Sequence, residues 1–275
     1  MKYKLFVADM DGTLLDDDKR LSEKNIKTIK RLNDHGIKFA VATGRHDSMI
    51  KSYLKHLDLQ VPVISCNGAL VREPFGDQVF LSEALPEKAS LQVINICKER
   101  KVDFHIYGHH RIFGERFSNK MLYYQELNET LPSDERTKLV TVPDCRQIFV
   151  NGSEPLYKFI IISEGNNNQP AIIDHISEIE GLTACQSMPT FCDVMKGGIS
   201  KAYALRKLSE SLGINREEIV AIGDQLNDLE LIEYAGLGIA VANAEDELKE
   251  KADAVTTSTN NDDAVAEAIE KFLFN

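Results

Sequence analysis

The first and last thirds of the chain share one alternation of short apolar runs with amphipathic helical stretches, and few architectures accept it. Near the N-terminus Lys4–Ala8 reads as a strand, and Ser22 caps a helix with Ile26, Ile29 and Leu32 on one face and Gly36 just past its end. Ile37–Ala42 reads as the next strand, Met49, Tyr53, Leu54 and Leu57 mark a helix, and Val61–Ser65 is a third strand. The C-terminal third repeats the grammar. A helix over Ala202–Leu212 stands behind Ser200, followed by a strand at Ile219–Ile222, a helix at Leu229–Ala235, a strand at Gly238–Ala242, and helices at Glu245–Lys251 and Asn261–Phe274. Short βαβ units of this kind require a parallel sheet covered by helices.

The middle of the chain follows another pattern. A helix is expected at Pro86–Arg100, and Val102–Tyr107 with Arg111–Glu115 flanks Gly108-His109-His110 as a hairpin. Further strands are expected at Gln147–Val150, Tyr157–Ile162, Leu182–Gln186 and Phe191–Met195, with a helix near Ala171–Ile179, and Gly165-Asn166-Asn167-Asn168 as a turn. The expected class is therefore α/β: a Rossmann-like open parallel-sheet core in two pieces, residues 1–83 and 196–275, with an α+β domain inserted over residues 84–195.

Charge narrows the partners. With 43 acids against 32 bases the formal net charge is −11, which disfavours general affinity for nucleic acid or an anionic membrane and leaves small molecules and metal cations. No apolar stretch approaches the roughly 18 residues of a membrane span, so a cytoplasmic protein is expected. The five cysteines are widely spaced with no C-x-x-C pair, the pattern of buried thiols in a reducing compartment.

Polar residues interrupt the apolar grammar at strand ends, where the ligand crevice of an open α/β sheet lies. Asp9 and Asp11 follow the first strand with Gly12 to turn the chain; a continued strand would put both acids on one face, where their repulsion calls for a cation, a shared proton or exposure. Thr43-Gly44-Arg45 follows the second strand, with a hydroxyl and backbone N–H groups suited to phosphate oxygens. Lys201 stands in the first turn of a helix, where its charge opposes the macrodipole unless an anion is near. Asp224, Asn227 and Asp228 close the set; Asp228 fits equally well as a helix cap. Several carboxylates without a histidine or cysteine cluster suit Mg²⁺ and argue against zinc. Together they form the kit for phosphoryl transfer, and neither a P-loop nor a serine-hydrolase elbow is present.

The set Asp9-Met10-Asp11-Gly12-Thr13-Leu14, Thr43-Gly44-Arg45, Gly198-Ile199-Ser200-Lys201 and Gly223-Asp224-Gln225-Leu226-Asn227-Asp228 resembles the haloacid-dehalogenase-like superfamily. It looks most like the Cof-type phosphatases with a large cap of type IIB. The resemblance implies Mg²⁺-dependent hydrolysis of small phosphomonoesters, with Asp9 as nucleophile and Asp11 as proton donor and acceptor. It implies that Asp9, the Asp11 carbonyl and Asp224 hold the metal with Asp228 in support, and that Thr43, Gly44, Lys201 and Asn227 bind phosphate. By the same resemblance Arg45 and Asn67 would lie near the substrate or cap and the inserted domain would select the substrate, with His109 a candidate on the cap side. Two alternatives remain open: a phosphosugar mutase, and a phosphorylatable switch without turnover.

Overall fold

In the computed structural model, which describes residues 2–117, 120–150, 154–163, 169–188 and 190–274, the first apolar run becomes β1 (Leu5–Ala8), buried at every position. Ser22 accepts from the Asn25 N–H and starts α1 (Glu23–Asp34), whose Ile29 and Leu32 are buried. The chain continues through β2 (Lys38–Val41), α2 (Lys51–Leu57) and β3 (Val63–Ser65). Two strands that the sequence pattern does not announce follow, β4 (Leu70–Arg72) and β5 (Val79–Ser82), and with β3 they make a three-stranded sheet.

The inserted stretch opens with α3 (Glu87–Arg100), the hairpin β6 (Asp103–Gly108) and β7 (Ile112–Gly114), α4 (Lys120–Thr130) and β8 (Leu139–Thr141). The strand expected at Gln147–Val150 does not form. Asp144 accepts from the Arg146 N–H and winds Cys145–Phe149 into a 3₁₀ helix instead, which the three-residue apolar run Ile148-Phe149-Val150 is too short to exclude. Then come β9 (Leu156–Ile162), α5 (Gln169–Ser177), β10 (Leu182–Met188) and β11 (Phe191–Lys196). The turn expected at residues 165–168 lies outside the described residues. These strands form one sheet in the order β10-β11-β9-β6-β7-β8, antiparallel except for the β7–β8 pair. Val93, Cys97, Phe104, Ile106, Phe159, Ile161, Ile172 and Val194 share its apolar core. The opposite face holds His105, Tyr107 and a Lys158–Asp193 ion pair, all of them buried.

The core resumes with α6 (Lys201–Leu212), capped by Ser200 and ended by left-handed Gly213, then β12 (Ile219–Gly223) and α7 (Leu229–Tyr234). It closes through β13 (Leu237–Ala240), α8 (Asp246–Lys251), β14 (Ala254–Val255) and α9 (Ala264–Leu273). The core sheet runs β14-β13-β12-β1-β2, all parallel, and Ala42 bridges Ile64 in parallel so that β3 extends it. The chain thus forms an α/β core with an inserted α+β region, in two compact units: Met1–Leu81 with Ser200–Asn275, and Ser82–Ile199. No described helix is long and apolar enough to cross a membrane, and the cysteines are free.

Candidate active site

Register brings the polar strand ends together. Ala8 pairs with Ile222 on one side and Val41 on the other, so Asp9, Thr43 and Asp224 emerge at the same end of adjacent parallel strands. The strand does not continue through Asp9 and Asp11. Thr13, Leu14 and Leu15 donate their N–H groups to the Met10 carbonyl at 3.4, 3.0 and 2.8 Å, and Gly12 turns with φ +83°. The two carboxylates therefore part company, and each finds its own cation.

Asp9, 6% exposed, accepts from Lys201 Nζ at 2.5 Å; the same ammonium reaches Asp228 at 2.7 Å. Lys201 is itself only 1% exposed. The anion that excuses a lysine in a first helical turn is thus this carboxylate pair. Asp228 uses its other oxygen to accept from the backbone N–H groups of Asp224 and Gln225, which makes it the cap of its own turn as well. Asp224 accepts from Thr13 Oγ1 at 2.7 Å. A Cβ at Gly12 would overlap Asp224 Oδ2, so glycine is required there for space as well as for φ. Asn243 donates to the Gly12 carbonyl at 2.8 Å and accepts from the Asn260 N–H, pinning the turn from the far end of the chain.

Asp9, Asp224 and Asp228 each offer an oxygen within 4.8 Å of the others, all three side chains buried. Burial pushes the Asp9 carboxyl well up; Lys201 pulls against it, and Asp228 and Asp224 add to it. Burial, then the Asp228 charge, pushes Asp224 up to about 7. Lys201 is raised as well, its two carboxylate partners outweighing burial. Three carboxylates beside one ammonium leave two positive charges missing, and the donors are all oxygen. The donor set therefore fits a divalent cation of the oxygen-loving class.

Asp11 turns elsewhere. Arg45 Nε donates to its carboxylate at 2.6 Å and Lys19 Nζ lies at 3.2 Å. Burial alone would raise this carboxyl, but Arg45 and Lys19 outweigh it and hold it at about 2. Thr43 is buried and accepts from the Arg45 N–H at 3.1 Å, leaving its hydroxyl proton for another acceptor beside the half-buried Gly44. Asn67 lies in an unusual run: Cys66, Asn67 and Gly68 have φ of 52°, 55° and 98°. The N–H groups of Cys66 and Asn67 bond to the carbonyls of Arg45 and Thr43, and Asn227 donates to Asn67 Oδ1 at 3.3 Å. Left-handed backbone at two non-glycine residues costs on the order of 1–3 kcal/mol each, the kind of strain that collects at functional loops.

Of the residues singled out in the sequence, Asp9, Asp11, Thr43, Gly44, Arg45, Asn67, Lys201, Asp224, Asn227 and Asp228 all belong to the core unit, with Gly44 set between the bonded Thr43 and Arg45. His109 belongs to the inserted unit, where its ring nitrogen bonds the Tyr157 hydroxyl at 2.8 Å. Thr13, Lys19 and Asn243 were not among them. Thr13 stands within the first of the quoted motifs, whereas Lys19 has no local signal.

Known proteins resemble this chain over nearly its whole length. A family model described as haloacid dehalogenase-like hydrolase matches residues 6–269. The chain is 32% identical over 277 residues to a 5-amino-6-(5-phospho-D-ribitylamino)uracil phosphatase of Bacillus subtilis, covering 99% of this chain and 98% of that protein. It is 28% identical to a pyridoxal phosphate phosphatase of Escherichia coli, covering 99% and 100%. The crystal structure of a haloacid dehalogenase-like hydrolase from Bacteroides thetaiotaomicron aligns with a TM-score of 0.85 at 28% identity, covering 98% of this chain and 99% of that one. Another, from B. subtilis, gives 0.86 at 26%, covering 99% and 100%. A match of this extent takes in both pieces of the parallel core and the cap between them, and the chain belongs to the haloacid dehalogenase-like hydrolases, in their Cof-type subclass.

Proposed function

We propose that this protein is a phosphatase of small phosphomonoesters that works through an aspartyl phosphate on Asp9. The observation that carries the reading is the cluster of Asp9, Asp224 and Asp228, whose oxygens lie within 4.8 Å of one another, with Lys201 bonded to Asp9 at 2.5 Å. A carboxylate nucleophile is thereby held beside a cationic donor and an oxygen-only cation site at the mouth of the sheet.

In the proposed mechanism Asp11, which Arg45 and Lys19 hold ionised in the free protein, takes up a proton from solvent as substrate binds. A carboxylate oxygen of Asp9 attacks phosphorus, the bond to the alcohol oxygen breaks, and Asp11 passes that proton to the leaving alkoxide. A water then attacks the acyl phosphate, Asp11 takes the water's proton, and the Asp9–phosphorus bond breaks to release orthophosphate. Thr43, the backbone at Gly44, Lys201 and Asn227 are assigned to the phosphoryl oxygens, where donors count most as charge develops. Asp9, Asp224 and the Asp11 carbonyl, with Asp228 in support, would hold Mg²⁺, whose charge would let the dianionic ester approach the carboxylates. Asp228 suits a supporting role, because both of its oxygens already accept hydrogen bonds. Arg45, Asn67 and His109 are assigned to the substrate side, and choice among alcohols to the inserted unit.

The named relatives act on a phosphoribityl compound and on pyridoxal phosphate, which supports a sugar-like or cofactor phosphate as substrate. The test is a panel of phosphometabolites with released phosphate measured with and without Mg²⁺. Asp9→Asn is expected to abolish turnover, by at least about 10³-fold, with an unchanged circular dichroism spectrum. Turnover in ¹⁸O-labelled water should place one label in each phosphate. Unlabelled isomerised product would instead indicate a mutase, and a single stoichiometric phosphorylation a switch.

A further inference from the structure

Two side chains outside the sequence motifs organise the surroundings of Asp11. Lys19 lies in the loop that leaves the Asp9–Gly12 turn, and its backbone is left-handed, φ +61°, although a lysine gains nothing from that conformation. Three contacts hold it. Its N–H donates to the Asp16 carbonyl at 3.0 Å, its carbonyl accepts from the Tyr53 hydroxyl at 3.0 Å, and its Nζ lies 3.2 Å from Asp11 Oδ1. Tyr53 comes from α2, and its ring centroid is also 5.8 Å from the Arg45 guanidinium carbon. One phenol thus meets both cations that grip Asp11: it bonds the backbone of one and sets its ring beside the other.

We infer that Lys19 and Tyr53 are positioning residues for Asp11, with Tyr53 steadying Lys19 and Arg45 while those two cations fix the orientation of the Asp11 carboxyl. The inference rests on the phosphatase reading, in which Asp11 exchanges a proton with the alcohol oxygen. A surface lysine–aspartate pair has little consequence by itself, and here the side chains are 43% and 34% exposed. The left-handed backbone and the buttressing tyrosine are what such a pair does not need, and both serve to aim the lysine. Proton donation depends steeply on reach and angle, so a loosened clamp slows an ester whose alcohol must be protonated more than one whose alcohol leaves as a stable anion.

The experiment compares kcat/KM for an alkyl phosphate and for p-nitrophenyl phosphate in the full-length protein with Mg²⁺. This parameter covers the steps through alcohol release and excludes the later attack of water. The ratio of the two substrates on one preparation is independent of the fraction that has folded. In Lys19→Met and Tyr53→Phe the alkyl value should fall about tenfold further than the aryl value, and Asp11→Asn should show a larger split in the same direction. Equal falls on both substrates, or no fall, in the two variants while Asp11→Asn retains its split overturn the inference alone. A wild-type protein that hydrolyses neither ester, or an Asp11→Asn variant with no split, overturns the phosphatase reading and the inference with it.

Discussion

Asp224 and Gly12 are interlocked, since the carboxylate occupies the volume that a side chain at position 12 would take. Gly12→Ala should evict Asp224, force a right-handed residue into a left-handed turn, and destabilise the protein by more than about 1 kcal/mol. Urea unfolding measures that, and loss of the Mg²⁺-dependent rise in thermal midpoint measures the eviction. Asp224 also makes a pH prediction. Its native carboxyl keeps a proton up to about 7, well above its ordinary 3.8, so metal-free protein should lose stability as the pH rises through that interval. In chelator at pH 8, Asp224→Asn should therefore melt above the wild type. Added Mg²⁺ should raise the wild-type midpoint and leave the variant's where it was. A wild type that melts identically at pH 4 and pH 8 in chelator would count against the uncompensated acidic cluster.

At the scale of elements, the loop after β2 is held from behind by a buried ion pair. Arg72 on β4 grips Asp47, with Nε at 2.8 Å, and both side chains are about 5% exposed. Burial pushes the Asp47 carboxyl up, and His46 and Arg72 more than offset it. Arg72→Met strands this carboxylate and should cost about 3–5 kcal/mol in urea unfolding, of which Asp47→Asn in the same chain should return a part. Nothing in the order of residues announced β4. It is three residues long and ends in an arginine that reads as a surface residue until its partner is known. Strands and helices that carry their own signals were legible: β1 and β12 as unbroken apolar runs, α1 and α6 from Ser22 and Ser200. Elements whose form is decided by neighbours were not. α4 buries only Met121 and Tyr124 among its described inward positions, and the Cys145–Phe149 segment has the composition of a strand but the cap of a helix. In the site, each acid and Lys201 could be located from spacing. The separation of Asp9 from Asp11 onto different cations, and the reach of Lys19 and Tyr53, depend on how distant loops approach.

For the whole molecule, the inserted unit carries a self-contained core and joins its own ends. Glu83 and Lys196, beside the points of entry and exit, form an ion pair at 2.6 Å, and the Leu85 N–H bonds the Leu156 carbonyl at 2.7 Å. A fragment of residues 82–199 should accordingly fold alone with a single cooperative thermal transition, and Glu83→Ala should lower its stability by less than about 1 kcal/mol, because that pair is partly exposed. A broad, non-cooperative melt of the fragment would sink this expectation. The core unit has no such independence, since β1 lies between β2 and β12, strands separated by most of the chain. During synthesis at roughly 5–20 residues per second, β1 must wait on the order of 10–40 s for β12 to leave the ribosome. Throughout that interval one edge of the nascent sheet is bare, and the carboxylate of Asp9 has yet to meet Lys201 or Asp224. The emerging polypeptide is then an adhesive half-sheet with a finished domain trailing behind it, so a growing chain should depend on holding chaperones most between the translation of residue 81 and that of residue 223.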